Sequence, residues 1–186
     1  MLIHGIVPVS RVNGPGERFA VWTQGCDRGC AGCFNPSAQK PREEAARYRE
    51  LSVEEIISLV PAGKVSGITV SGGEPFEQPQ DLRRLLAAAR SLGLHTLVYS
   101  GYTYEELRRL FPEVLREIDI LIDGPYMRDV PRSSAWAGSG NQRILCLRNG
   151  EAVLWDAVFS GPLPEAEVFI DSAGGVTVTG AFSLNL

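Results

Sequence analysis

The chain has 186 residues, 44% of them hydrophobic, and a formal net charge of −4. This suits one domain with a sizeable core and requires no second one. The acidic balance and the lack of a basic run exclude a nucleic-acid surface held by phosphate contacts. Residues 1–10 carry neither the charged start nor the long apolar core of a signal peptide, and no apolar run approaches membrane-spanning length. The chain reads as cytoplasmic, where thiols stay reduced and bind metal.

The first clear element is the aromatic-rich run Phe19-Ala20-Val21-Trp22, predicted as a strand over residues 18–24. It delivers a loop at its C-terminal end, where parallel α/β sheets carry their sites. That loop holds Cys26, Cys30 and Cys33 in the spacing C-x3-C-x2-C, with glycines between them and no fourth cysteine nearby. Three thiolates on a short glycine-containing loop can ligate three metal atoms of a compact iron–sulfur core and leave one corner open. A ferredoxin closes that corner with cysteine, and a structural zinc site closes its tetrahedron. The zinc alternative needs a fourth ligand from Cys146, His4 or His95, none at a familiar zinc spacing. Disulfides fit poorly, since three clustered thiols cannot pair evenly.

Residues 37–50 are polar without a clear period. Ser52-Val53-Glu54-Glu55 then forms a capping box that opens a helix through about Leu59, stopped by Pro61 and Gly63. The pattern alternates from there: strand 67–70, helix 81–91, strand 96–99, a helix capped by Thr103 with Glu106 three residues on, and strand 118–122. This βαβ series predicts a parallel sheet covered by helices. The last quarter changes to hairpins. Asn149-Gly150 is a type I′ turn signal between strands at 144–147 and 152–155. A second hairpin is expected around Ala173-Gly174-Gly175, with arms 168–170 and 176–178, which makes the C-terminus an antiparallel appendage.

Directly after the strand ending at Val70 comes Ser71-Gly72-Gly73-Glu74-Pro75. Alone, this is an ordinary βα turn in which glycines make the bend. Beside a cluster with an open iron, it offers backbone groups and a carboxylate to the ammonium of an amino-acid-like ligand.

The C-x3-C-x2-C run followed by Gly-Gly-Glu-Pro on the next strand end resembles the radical S-adenosylmethionine superfamily. Val12-Asn13-Gly14-Pro15-Gly16, Cys33-Phe34-Asn35-Pro36, residues 99–107, residues 119–126 and Asn141-Gln142-Arg143-Ile144 narrow the resemblance to the anaerobic ribonucleotide reductase activating proteins. The resemblance implies that Cys26, Cys30 and Cys33 ligate a [4Fe–4S] cluster whose fourth iron binds the methionyl end of S-adenosylmethionine, with Gly72, Gly73 and Glu74 holding that end. Reductive cleavage would then give a 5′-deoxyadenosyl radical that makes a glycyl radical on a large partner enzyme, with a one-electron donor such as flavodoxin or ferredoxin. This chain departs at residues 137–140, where the family usually has an arginine and paired serines, and in residues beyond about 150.

Three further positions have two readings each. Asp123 ends its strand as a cofactor, ribose or cation contact, or as a solvated acid. Ser100 and Gly101 line a nucleoside pocket or make a plain turn. Phe34 packs on the cofactor's adenine or in the core. Cys146 reads as buried and inert. The expected fold is α/β, a partial (β/α) barrel of the radical S-adenosylmethionine type over residues 1–148, with a C-terminal antiparallel β-hairpin extension over 149–186. Two rival functions stand: a radical enzyme acting on a peptide or small metabolite, and a non-catalytic zinc-binding interaction module.

Overall fold

The computed structural model describes residues 1–33, 35–41, 48–132, 134, 136–154, 166–170 and 176–180. The expected placements of Phe34, Trp155 and the turn at 173–175 lie outside them. Two strands open the chain, β1 (Leu2–Ser10) and β2 (Arg18–Thr23), followed by the short helix α1 (Pro36–Gln39) and strand β3 (Arg49–Glu50). Then come α2 (Val53–Ser58), β4 (Gly67–Gly72), a 3-10 turn at Pro75–Glu77, α3 (Pro79–Ser91), β5 (His95–Tyr99), α4 (Tyr104–Leu110), α5 (Pro112–Leu115) and β6 (Ile120–Asp123). Four strands finish the chain: β7 (Arg143–Arg148), β8 (Glu151–Leu154), β9 (Glu167–Ile170) and β10 (Val176–Thr179).

Eight strands form one mixed sheet in the order β3-β1-β2-β4-β5-β6-β7-β8, and β9 and β10 form a separate antiparallel pair. The central run β2-β4-β5-β6 is parallel, as the βαβ succession predicts. Both flanks are antiparallel. The hairpin at Asn149-Gly150 is therefore continuous with the main sheet through β6 and β7, and only β9–β10 stands apart. Among the described residues between β6 and β7 there is no crossover helix, which suits the antiparallel pairing of β7 with β6. The N-terminal strand β1 is absent from the sequence-based expectation. Its apolar residues are interrupted by His4, Gly5 and Pro8, and the register with β2 shifts twice along its length.

Local signals account for the helices. Capping boxes at Ser52/Glu55 and Thr103/Glu106 open α2 and α4. In α3, Leu82, Leu85, Leu86 and Ala89 are fully buried at helical spacing. The helix ends in a Schellman turn: Gly93, at φ +75°, donates to the Arg90 carbonyl and Leu94 to that of Ala89. These faces pack on Phe19, Val21, Ile68, Val70, Val98 and Leu121. On the opposite face of the sheet, Leu97, Ile120 and Ile122 form a second apolar cluster with Tyr99, Trp136, Ile144 and Cys146. Among the described residues, no helix is long and apolar enough to cross a membrane.

Leu85 sits at the centre of the helix–sheet core with no exposed surface. Leu85→Ala is expected to lower stability by about 2–5 kcal/mol, read as a reduced urea midpoint at unchanged slope.

Candidate iron–sulfur site

The cysteine loop leaves the sheet at the carboxyl end of β2 and is closed at its root. The Gly25 and Cys26 amides donate to the carbonyls of Ala38 (2.8 Å) and Gln39 (3.1 Å), across the full span of the loop. Buried Gln24 pins the same crossing: its amide nitrogen reaches the carbonyls of Ser37, Ala38 and Lys40, and its oxygen is hydrogen-bonded to His4 at 2.8 Å. Gly29 and Gly32, at φ +60° and +68°, turn the chain between the cysteines.

What Gly72 and Gly73 approach closely is this loop root. Gly73 donates to the Thr23 carbonyl and Glu74 to that of Gly25, both at 2.8 Å. A Cβ on Gly73 would lie 2.0 Å from the Gly25 oxygen and 2.7 Å from that of Ala38, and one on Gly72 would lie 2.1 Å from the Thr23 nitrogen.

The three thiols are half-buried and in no disulfide. Burial pushes the Cys26 thiol up to about 11 and raises that of Cys33 as well. Such thiols are not activated nucleophiles, so a bound cation is what would draw off their protons. The donor set of three thiols at one strand end fits an iron–sulfur cluster held at three corners. Of the residues that zinc would need, His95 opens β5 at the far end of the sheet and Cys146 pairs there with Ile120, while His4 is hydrogen-bonded through both ring nitrogens, to Gln24 and Ser37.

Glu74 is fully buried and its carboxylate is saturated by the chain. It accepts from the Phe76 amide (3.1 Å), the Ser100 hydroxyl (3.0 Å) and the Gly101 amide (2.7 Å). The predicted residues Glu74, Ser100 and Gly101 thus converge on one another. Asp123 is equally buried and lies in a different cluster, where it accepts from the Tyr104 amide at the start of α4 and from Arg143, which also pairs with Glu105.

Sequence reading missed Gln24, Arg28 and Arg143. Arg28, between Cys26 and Cys30, donates to the Gly101 carbonyl at 3.0 Å and stacks on the Tyr102 ring at 4.2 Å. Nothing in its local sequence signals this reach. Asn141 and Gln142 hold the Gly124–Pro125 turn by side-chain bonds to both carbonyls. Beside the cysteine loop is an open cleft of about 540 Å³, with Ala31 and Gly32 on one wall and residues 126–130 on the other.

A strand-end loop carrying three unpaired thiols offers the donor set of an iron–sulfur protein, and comparison with known proteins bears on that class. Residues 12–145 match the family described as a 4Fe-4S single cluster domain. The chain is 32% identical over 143 residues to the anaerobic ribonucleoside-triphosphate reductase-activating protein of Enterobacteria phage T4, covering 75% of this chain and 90% of that one. It is 31% identical over 156 residues to the protein of that name from Salmonella typhi, covering 80% and 100%. It is also 31% identical over 153 residues to the pyruvate formate-lyase-activating enzyme of Staphylococcus aureus (strain USA300), covering 77% and 60%. The chain belongs to the 4Fe-4S single cluster family, among the radical S-adenosylmethionine proteins that activate glycyl radical enzymes.

Two outcomes are expected. Gly73→Ala forces the loop root away from β4, costing about 1–3 kcal/mol in urea melts and most of the iron and sulfide taken up on reconstitution. For Glu74, burial raises the carboxyl to about 7, outweighing the hydrogen bonds and the Arg28 charge that favour the ionised form. The folded chain then binds more protons than the unfolded one between its ordinary value and about 7. The associated stability is complete below that window and is lost as pH rises through it. Thermal melts of the cluster-free protein from about pH 4.5 to 8 will show a steeper decline for the wild type than for Glu74→Gln.

Proposed function

We propose that this protein generates a glycyl radical on a large partner enzyme of the anaerobic ribonucleotide reductase type. The observation that carries the reading is the loop bearing three free thiols whose closed root is hydrogen-bonded to the Gly73–Glu74 strand end. Cys26, Cys30 and Cys33 would hold the [4Fe–4S] cluster. When bound, cluster and S-adenosylmethionine would supply one-electron reductive cleavage of the cofactor and, through it, hydrogen-atom abstraction from a glycine Cα.

The chain's own contribution is geometry. Gly72 and Gly73 keep the strand end flush with the loop root, where a Cβ on either would meet Thr23, Gly25 or Ala38, and they would thereby fix the cysteine loop beside the turn that takes the methionyl end. We assign Glu74 and Asp123 to the support of the site, because each carboxylate is engaged within the fold. Ser100 and Gly101 form the turn beside which the nucleoside would lie, and Phe34 follows the last ligand in sequence. The cleft between Gly32 and residues 126–130 gives a polypeptide loop access to the cysteine loop.

We further infer that the eight-stranded sheet curves into a partial (β/α) barrel. Leu97 and Ile122 are fully buried on the face away from the helices, beneath Tyr99, Trp136 and Ile144, as the inward face of such a barrel would be. Residues 1–148 would be the radical-generating core and 149–186 its extension. A cytoplasmic setting with flavodoxin or ferredoxin as electron donor suits a reduced, oxygen-sensitive cluster.

The test is anaerobic incubation of reconstituted protein with reductant, S-adenosylmethionine and a candidate glycyl radical enzyme. A glycyl radical signal by electron paramagnetic resonance is expected, and Cys30→Ala will bring both that signal and 5′-deoxyadenosine to background. Sustained 5′-deoxyadenosine formation without a glycyl radical on any such enzyme would point to a peptide or metabolite substrate. A colourless protein with one tight zinc would end the radical reading.

A further inference from the structure

The spacer between the first two cysteines is fastened at two points to neighbouring βα turns. On one side the Asp27 amide donates to the Glu77 carboxylate at 2.5 Å, from the 3-10 turn that follows β4. On the other, the Arg28 guanidinium reaches the turn after β5, where its Nη2 donates to the Gly101 carbonyl and its plane lies over Tyr102. Room for this stem comes from the missing side chain at Gly101. A Cβ there would approach Arg28 Cγ to 3.2 Å and Nε to 3.4 Å, with Glu74 Oε2 also at 3.4 Å. The arginine is thus seated between the cysteine loop and the Glu74–Ser100–Gly101 cluster, and the buried Glu74 carboxylate feels its charge.

One feature of this seat is incomplete. Arg28 Nε is buried and meets no acceptor among the described residues. A buried guanidinium N–H left without an acceptor carries an uncompensated desolvation cost, and native folds place an acceptor where such a donor points. Of the carboxylates near Arg28, Glu74 accepts from Phe76, Ser100 and Gly101, Glu77 accepts the Asp27 amide through Oε1, Glu106 accepts from Thr103, and none is hydrogen-bonded to Arg28 Nε.

We infer that Arg28 is a positioning residue for the loaded site: it ties the Cys26–Cys30 spacer to the β5 turn and directs its free Nε–H at an anionic acceptor that arrives with the cluster or with S-adenosylmethionine. The inference rests on the proposed function, since it presumes that both groups bind here. Its two sources separate experimentally. If the acceptor is a cluster sulfur, loss of the donor and its charge makes the reduced cluster harder to form. If it is the methionyl carboxylate, the loss weakens the cofactor and leaves the cluster's potential in place.

The experiment uses wild-type, Arg28→Gln and Arg28→Lys proteins, reconstituted anaerobically and assayed for iron and sulfide. The midpoint potential is measured without S-adenosylmethionine, and the cofactor's dissociation constant is read from its change to the spectrum of the reduced cluster. Arg28→Gln is expected either to move the potential to more negative values or to weaken cofactor binding about tenfold, the loss of one charge-assisted hydrogen bond. Arg28→Lys keeps the cation without the Nε–H, so it is expected to share the shift or the weakened affinity of Arg28→Gln, and a Lys variant that matches wild type in both overturns the inference. If Arg28→Gln fails to take up cluster, the same readings on Arg28→Lys decide. Unchanged potential and unchanged affinity in whichever variant holds the cluster overturn the inference. Wild-type protein that assembles no cluster refutes the proposed function itself.

Discussion

Between the end of β4 and the root of the cysteine loop there is no space for a methyl group. Gly73 lies against the carbonyls of Gly25 and Ala38, and its amide and that of Glu74 bond to Thr23 and Gly25. A loop that turns twice on glycines is expensive to order by itself. Here its two ends are hydrogen-bonded to each other, pinned by Gln24 and pressed onto a central strand of the sheet. The three thiols therefore inherit the rigidity of the parallel core, and the residues around them can be arranged relative to a fixed frame.

Two buried carboxylates extend that frame sideways. Glu74 links the turn after β4 to the turn after β5, and Asp123 links the end of β6 to α4 and β7 through Tyr104 and Arg143. Burial disfavours ionised carboxylates, and the two clusters meet this differently. Asp123 has a paired arginine whose own proton affinity is raised by Asp123 and Glu105. Glu74 has backbone amides, a hydroxyl and the more distant Arg28, and is left with an elevated proton affinity. Both acids stand at carboxyl ends of parallel strands, where unsatisfied backbone amides of the following turns need acceptors.

The C-terminal pair β9–β10 keeps away from this end. Glu167 accepts from the Ser10 hydroxyl and the Arg11 amide, and Thr179 bonds to Asn13, next to the start of β2. The extension thus docks at the end of the sheet opposite the cysteines and leaves the cleft beside Gly32 unobstructed by the described part of the extension. β8 meanwhile adds an eighth strand, and Tyr104 fastens its hairpin to α4 through Gly150 and Ala152.

Much of this was legible from local chemistry. Capping boxes, the leucine spacing of α3, the Asn149-Gly150 turn and the three-cysteine run each act within a few residues, so the elements and the cysteine motif can be read from the chain alone. The sheet edges could not, because β1 is broken by His4, Gly5 and Pro8 and owes its place to pairing with β2. Nor could the partners that Glu74, Asp123 and Arg28 find on other elements, which lie 19 to 73 residues away. A carboxylate at a strand end looks the same in sequence whether it faces a ligand or braces a neighbouring turn. Only the packing of adjacent βα turns, which brings distant backbone amides and guanidinium groups within hydrogen-bond reach, supplies the partners these carboxylates take within the fold.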